Sequence, residues 1–207
     1  MRQKVNKTTQ PIRSKKDRDA MSSYFWHSNL RDYALFEMGI YTGRRISDMV
    51  KLNVRDIAFI DRKGRFRIAD RIIINEKKTG KFIDLAIHEK ARRALGKYLK
   101  RRRKYSDSWG ALLNEPLFRS QKLNRSGEYR ITSRHALRIL RKAADKCELD
   151  YKVGTHSLRK TFGYMLYQKH VDLERIQKLL NHSSPEITLS YIGIMQEDLD
   201  EAIRSLD

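Results

Sequence analysis

Four residues in the last third of the chain carry side chains that could bind and attack a phosphate group. His156 and Arg159 are three residues apart in a stretch with helical periodicity, so their side chains would share one face of a helix. His182 follows, and Tyr191 comes nine residues after it. Arginine is an always-charged donor to phosphate oxygens, and a tyrosine hydroxyl is a possible nucleophile. The stretch from Thr155 to Tyr191 therefore predicts a phosphate-handling site with a candidate nucleophile at its end.

The local pattern predicts how this stretch is built. Thr155 is expected to cap a helix, so that His156 and Arg159 lie in its first turn, where N–H groups and the helix dipole favour a phosphate. Gly163 is expected to leave the same face bare. Each feature also has an ordinary explanation: the chain has ten tyrosines, a His-x-x-Arg pair is common on surfaces, and a histidine such as His182 often ends a helix. No single residue establishes the chemistry.

The composition indicates a polyanionic partner. The chain has 207 residues and a mass of 24.6 kDa, with 45 Lys and Arg against 25 Asp and Glu, a net charge of +20 and a pI near 10.2. A surplus of this size favours nucleic acid as the partner, with a ribosomal-type or merely basic protein as the alternative.

The cysteine count and the apolar pattern predict the compartment. Cys147 is the only cysteine, which excludes an intramolecular disulfide and a cysteine-based zinc site and fits a reducing compartment. Met1–Lys4 is not followed by the apolar segment of a secretory signal. No run approaches the ~18–20 apolar residues of a membrane span. We therefore expect a cytoplasmic protein with no membrane partner.

The elements that must position the candidate residues are mostly helices. Ser14 and Asn29 are predicted to cap the first two helices, Gly43 to end the second, and Thr132 to cap a later one. Ser184–Pro185 is typical of a further helix start.

Between residues 57 and 87 the pattern changes to short β-branched runs, which predicts a small antiparallel sheet with a lysine-rich last hairpin. The predicted fold class is mainly α with a small antiparallel β-sheet (α+β). The predicted organisation is a flexible segment over residues 1–13, one domain over 14–195 and a tail helix over 196–207.

Cationic residues upstream of the histidines are further candidates. Arg45 follows Thr42-Gly43 at a helix–loop–helix junction that can aim its guanidinium inward, and Lys78 lies on the hairpin tip. Taken alone, each could be an ordinary surface residue. Four others are predicted to bind nucleic acid from the hairpin tip or from the helix after Thr132: Lys77, Lys81, Arg134 and Arg138.

The order of these residues resembles the catalytic domain of tyrosine recombinases, the phage integrase family. The resemblance rests on Thr-Gly-x-Arg before Ile-Ser-Asp, a hairpin lysine, His-x-x-Arg, Leu-x-His and a tyrosine nine residues later. It covers about residues 10 to 195 and is most like integrases of prophages and conjugative transposons. Asp48 stands where the family often has Glu, and Asn181 where Gly often precedes the histidine. Family members usually carry a helical core-binding domain ahead of this one. Here only about a dozen residues precede the first predicted helix, so we expect an isolated catalytic domain.

The resemblance implies a mechanism. Arg45 and Arg159 would clamp the non-bridging oxygens of a DNA phosphodiester, and His182 would add a hydrogen bond. His156 would orient the phosphate or accept a proton, while Tyr191 would attack phosphorus and form a 3′-phosphotyrosine. Lys78 would protonate the departing 5′-hydroxyl. This chemistry implies no metal, no ATP and no cofactor.

The resemblance also implies partners. The expected substrate is a double-stranded DNA recombination site, and the expected activity is site-specific recombination, integration or excision. The same resemblance implies a homo-tetramer on paired sites and a possible accessory DNA-bending protein. It also implies a nucleoid-associated protein that is bacterial or phage-encoded. The acidic tail would dock on a neighbouring protomer or on its own domain.

Three other functions stay open at this point. A type IB topoisomerase shares the chemistry as a monomer. A non-catalytic basic module would bind DNA without a covalent species. A structural protein of a ribonucleoprotein would leave the ordered residues as coincidence.

Overall fold

Helices dominate the fold, with two short β-hairpins inserted near the middle of the chain. The computed structural model describes residues 8–75, 80, 82–194, 200, 203–204 and 206. Its helices are α1 (Lys15–Ser28), α2 (Leu30–Thr42), α3 (Ile46–Met49), α4 (Glu89–Arg103), α5 (Trp109–Leu113), α6 (Ser133–Lys146), α7 (Thr155–Tyr167), α8 (Leu173–Leu180) and α9 (Pro185–Ile192), with a 3₁₀ turn over Val54–Asp56. Its strands are β1 (Ala58–Ile60), β2 (Phe66–Ile68), β3 (Arg71–Asn75) and β4 (Phe82–Ala86). The predicted fold class is confirmed.

Local capping explains where several helices begin and end. Ser14, Asn29, Thr132 and Ser184 each accept a hydrogen bond from a backbone N–H in the first turn, as predicted. Gly43 ends α2 with a φ of +62°, a left-handed conformation that favours glycine.

The β region forms two separate antiparallel hairpins. β1 pairs with β2 and β3 pairs with β4, with Ile72 opposite Leu85 and Ile74 opposite Ile83. Ile72 and Ile74 are buried while Ile73 between them is exposed, as the two-residue period of a strand requires. The predicted sites Lys77, Lys78 and Lys81 lie outside the described residues.

The main core surrounds α2. Every residue from Ala34 to Ile40 is buried, and α2 packs against α1, α4 and α7. α2 and α7 approach closely at Gly39, where a Cβ would lie only 2.4 Å from Cδ1 of Leu158. This contact fixes α7 relative to the C-terminal end of α2, which leads into Arg44 and Arg45.

A smaller apolar cluster joins α8 and α9 to α7. Ile176, Leu180 and Ile192 are fully buried, with Phe162 and the ring of Tyr191 packed against them. The helix that carries Tyr191 (α9, the tyrosine helix) therefore packs on the domain through this small cluster.

Residues 8–13 pack on the domain, unlike the flexible segment predicted for residues 1–13. Ile12 is fully buried, and its N–H donates to Oγ1 of Thr161 at 2.8 Å. Lys160 donates to the carbonyl of Thr9 at 2.9 Å. Burial of an apolar side chain and two long-range bonds hold this part in place; residues 1–7 lie outside the described part.

Most of the predicted tail, residues 196–207, also lies outside the described residues. Among the helices that are described, none is both long and apolar enough to cross a membrane.

Candidate active site

Arg159 is the most deeply placed of the candidate residues. Its side chain is only 2% exposed, and it donates to the carbonyl of Gly43 at 3.0 Å and to the carbonyl of Leu180. A buried guanidinium with two fixed acceptors has one defined orientation. The ends of α2 and α8 therefore position Arg159 on α7.

The start of α7 differs from the prediction by one residue. Gly154, not Thr155, is the N-cap, and its N–H donates to Oγ of Ser157 at 3.0 Å. Thr155 is consequently the first helical residue. Glycine has no side chain with which to cap a helix, and Ser157, three residues later, supplies the hydrogen bond instead. The helix start predicted from the residue type of Thr155 alone was therefore wrong by one residue.

Arg45 and Arg159 line the same cavity. Arg45 is half-buried, has an extended backbone and directly precedes α3. The cavity has a volume of about 520 Å³ and is lined by Arg45, Ile46, Ser47, Ser133, Thr155, His156 and Arg159. Two arginines in the lining of a small cavity form a cationic surface that suits an anionic group.

Arg44, which the sequence did not distinguish from a surface arginine, is fully buried. Its Nε donates to the carbonyl of Thr42 at 3.2 Å, and its Nη2 donates to the carbonyl of Leu179. Residue type alone cannot separate two adjacent arginines, and no sequence pattern indicates this role for Arg44.

His182 follows the end of α8. Asn181 ends that helix with a φ of +49°, and the His182 N–H donates to the carbonyl of Gln177 at 3.1 Å. Asparagine is the residue other than glycine that most readily takes this conformation, which explains why Asn181 can stand where the family often has Gly. Nδ1 of His182 lies 3.1 Å from Oγ1 of Thr188.

Tyr191 lies at the centre of the group. Its hydroxyl is 3.1 Å from Nδ1 of His156, and its ring meets the His182 ring edge-on at a centroid distance of 4.9 Å. Nζ of Lys160 lies 5.5 Å from the centroid of the tyrosine ring. The structure therefore brings His156 and His182 to the same phenol, with a lysine that the sequence did not single out.

Two opposing effects act on the pKa of Tyr191. Burial raises the pKa, because a phenolate loses hydration there. The charges of Arg159 and Arg45, and a hydrogen bond from Arg159, lower it without fully offsetting the burial. Both arginines are thus close enough to favour the phenolate, which is the nucleophilic form.

Gly163 has a packing role that the sequence did not reveal. A Cβ at this position would lie 2.6 Å from Cγ2 of Ile192 and 3.1 Å from Cδ1 of Leu180. The glycine is buried, so the expectation of a bare face is wrong: α8 and α9 cover it. The absence of a side chain lets the tyrosine helix approach α7.

The remaining predicted residues lie elsewhere. Arg134 and Arg138 are exposed on α6, and Arg138 lines a different cavity, beside His135 and Asp32. Of the predicted catalytic residues, Arg45, His156, Arg159, His182 and Tyr191 meet at one place, while Lys78 lies outside the described part of the chain.

Comparison with known proteins gives the class of this fold. Solved recombinases share this fold: the XerA recombinase crystal structure aligns with a TM-score of 0.72 at 23% identity, over 97% of this chain and 65% of XerA. The XerH site-specific recombinase, bound to its difH substrate in a pre-cleavage complex, aligns with a TM-score of 0.62 at 20% identity, over 98% of this chain and 56% of XerH.

The chain belongs to the phage integrase family, whose family model matches residues 17–197. The probable integrase/recombinase YoeC of Bacillus subtilis (strain 168) is 38% identical over 188 residues, which is 91% of this chain and 91% of YoeC. The resemblance drawn from the sequence is confirmed. The chain spans most of YoeC but only part of the two solved recombinases.

Proposed function

We propose that this protein cuts and rejoins DNA strands at specific sites through a 3′-phosphotyrosine intermediate. The observation that carries the proposal is the 3.1 Å contact between the Tyr191 hydroxyl and Nδ1 of His156, beside a cavity bounded by Arg45 and Arg159. A nucleophile, a proton acceptor and two phosphate donors are the groups that phosphoryl transfer to a phenol needs. The family and the net charge of +20 support DNA as the substrate.

The proposed reaction transfers the DNA phosphate from the 5′-oxygen to the hydroxyl oxygen of Tyr191. Tyr191 Oη forms a bond to phosphorus as its proton passes to Nδ1 of His156, and the bond from phosphorus to the 5′-oxygen breaks. Arg45 and Arg159 hold the non-bridging oxygens, on which negative charge grows in the transition state. The departing 5′-oxygen takes a proton, which we assign to Lys78 on the strength of the family resemblance. Religation is the reverse of these steps, so no ATP is needed.

A nicked suicide substrate tests the nucleophile, because its cut strand diffuses away and cannot be religated. Wild-type protein should form a covalent protein–DNA band, and Tyr191→Phe should form none. Tyr167→Phe is the matched control, since Tyr167 is an exposed tyrosine at the end of α7. A covalent band that persists in Tyr191→Phe would overturn the assignment, and a band lost in both variants would indicate misfolding.

Lys78 needs a test of its own. A substrate with sulfur in place of the bridging 5′-oxygen has a leaving group that departs without a proton. Cleavage of this substrate should be restored in Lys78→Ala and should stay defective in Arg159→Ala. Failure to restore Lys78→Ala would assign the proton to another residue.

We propose that the chain works as a tetramer on two paired recombination sites. Two observations on the chain support an assembly. Ile203 and Leu206 of the tail are 66% and 80% exposed, and residues 196–207 hold five acidic residues and one basic residue. A groove of about 970 Å³ between α1, α2, α4 and α7 is lined by apolar side chains that include Phe162 and Met165 and by basic side chains that include Lys90 and Arg93. An acidic, apolar segment of a neighbouring copy is complementary to this groove.

Deletion of residues 196–207 separates assembly from chemistry. The shortened chain should still form the covalent band on a single suicide site and should lose recombination of paired sites. Equal recombination with and without the tail would show that the tail has no role in assembly.

Products that are only relaxed circles, with no recombinants, would favour topoisomerase activity. The same assay with purified protein alone decides whether an accessory DNA-bending protein is required. Because DNA is the proposed substrate, we propose a location in the cytoplasm at the nucleoid.

A further inference from the structure

Thr188 makes two contacts that together determine where the proton of His182 lies. The threonine is fully buried in α9, one turn before Tyr191. Its Oγ1 is 3.1 Å from Nδ1 of His182 and 3.3 Å from the carbonyl oxygen of Ser184. Both contacts lie within this chain.

A hydroxyl has one proton, and that proton can serve only one of the two contacts. The Ser184 carbonyl can only accept, so the hydroxyl must donate for that contact to be a hydrogen bond. If the proton went to His182 instead, two oxygen lone pairs would face each other at 3.3 Å in a fully buried place. Both bonds form only when Thr188 donates to Ser184 and accepts from an Nδ1–H of His182. Back-bonding of a helical threonine to the carbonyl four residues earlier is common.

We propose that Thr188 is a positioning residue that fixes the neutral form of His182 with its proton on Nδ1. Nε2 of that form carries a lone pair and accepts a hydrogen bond. His182 then donates through Nε2 to a phosphate oxygen only after it has taken up a second proton. The role of His182 toward a DNA phosphate deepens the proposed function and rests on it. The tautomer itself is a property of the chain without DNA.

The same bond ties His182 to the tyrosine helix. The backbone of His182 is held from α8 by Gln177, whose Nε2 also donates to the His182 carbonyl at 3.2 Å. Its ring is held from α9 by Thr188. A displacement of α9 that carries Tyr191 away from His156 would therefore also release the His182 ring. The two histidines around the nucleophile are ordered together.

Nitrogen NMR of the imidazole groups tests the tautomer directly in the chain without DNA. Uniformly ¹⁵N-labelled protein is recorded at a pH where His182 is neutral, and the His182→Gln variant identifies its signals among those of the six histidines. Wild type should show a protonated Nδ1 and an unprotonated Nε2. Thr188→Val should move the proton to Nε2, and Thr188→Ser should keep it on Nδ1.

Thr161→Val is the matched control for the removal of a buried hydroxyl. Thr161 is fully buried in α7 and makes the same bond to the carbonyl four residues earlier, 2.7 Å from Ser157 O. This variant should leave the His182 signals unchanged. A wild-type signal with the proton on Nε2, or one that stays on Nδ1 in Thr188→Val, would overturn the proposal.

The cleavage rate gives the second measurement. On the suicide substrate, Thr188→Val should reduce single-turnover cleavage by about 5- to 10-fold, the effect of one lost hydrogen bond, and Thr188→Ser should recover most of it. DNA binding should be equal in the three proteins. Equal cleavage by Thr188→Val and wild type would contradict the positioning role. Failure of the proposed function would show instead as a covalent band that persists in Tyr191→Phe. That outcome would leave the tautomer result unaffected.

Discussion

Arg44 and Arg159 donate to two consecutive carbonyls, those of Leu179 and Leu180, at the C-terminal end of α8. This end of a helix is negative, because its last carbonyls have no partner within the helix, and it favours cations. Arg159 belongs to the cavity, whereas Arg44 supports the same helix end from the α2 side. α8 therefore orients an arginine that we propose to be catalytic, although α8 carries none of the proposed catalytic residues itself.

Arg44→Met should destabilise the fold because it leaves a buried carbonyl without its charged donor. We expect a loss of about 2–3 kcal/mol in the free energy of unfolding, measured by urea denaturation. Arg141→Met, an exposed position on α6, is the control and should change stability by less than about 0.5 kcal/mol. Equal stabilities for the two variants would show that the Arg44 bonds contribute nothing net.

Gly163→Ala should displace the tyrosine helix. The new Cβ would lie 2.6 Å from Cγ2 of Ile192, the residue after Tyr191, and helix α9 must move to admit it. A shift of about 1 Å in a reacting group can cost on the order of 100-fold in rate, so single-turnover cleavage should fall by 10- to 100-fold.

Two further variants identify the cause of that loss. Gly96→Ala on α4 meets only Cγ1 of Ile68 at 3.9 Å and should cleave like wild type. Adding Ile192→Ala to Gly163→Ala removes the clashing methyl and should restore part of the rate. If the double variant is no faster than Gly163→Ala, the contact with Ile192 is not the reason.

The helix starts and the fold class could be predicted because their causes are local. A cap such as Asn29 needs only its own side chain and the backbone of the next three residues, and all of these are visible in the sequence. The order of the candidate catalytic residues was likewise visible in the sequence. Thr155 was misplaced by one residue because the cap came from Ser157 and not from the N-cap side chain.

The supporting residues could not be predicted because their partners are distant in the chain. Arg44 meets Leu179 across 135 positions, and Thr9 meets Lys160 across 151. Gly163 shows its role only once α9 is packed on α7. In each case tertiary packing decides the role, and residue type is uninformative without it.

Glu37 gives a prediction for the pH dependence of stability. Its side chain is buried in α2, 2.5 Å from the Ser22 hydroxyl, and burial raises its pKa. A carboxyl whose pKa is raised in the folded state contributes stability below its unfolded pKa of about 4.3, and that contribution is lost as pH rises through the folded pKa. Glu37→Gln should therefore raise Tm at pH 7, and this gain should disappear near pH 4.

The Tm comparison is made by thermal unfolding at both pH values. Glu148→Gln, at an exposed position, removes the same charge without removing a buried carboxylate and should show a much smaller gain. A Tm gain for Glu37→Gln that is equal at pH 4 and pH 7 would mean that ionisation of Glu37 is not its source.

Arg45 should act on the nucleophile as well as on the phosphate. Its charge lowers the pKa of Tyr191 against the effect of burial, so Arg45→Gln should raise that pKa further and leave less phenolate at any pH below it. Loss of a transition-state donor adds to this effect, and we expect cleavage of the suicide substrate to fall by about 100- to 1000-fold.

Ultraviolet titration separates the two roles of Arg45. The ionisation of Tyr191 is obtained as the difference between proteins with and without Tyr191→Phe, first in wild type and then in Arg45→Gln. The difference signal should appear at higher pH in the Arg45→Gln background and should not move in Arg125→Gln, a change of the same charge at an exposed loop position. If Tyr191 titrates at the same pH in all three backgrounds while cleavage still falls, Arg45 acts on the phosphate alone, and the phenol must lose its proton through His156 without help from that charge.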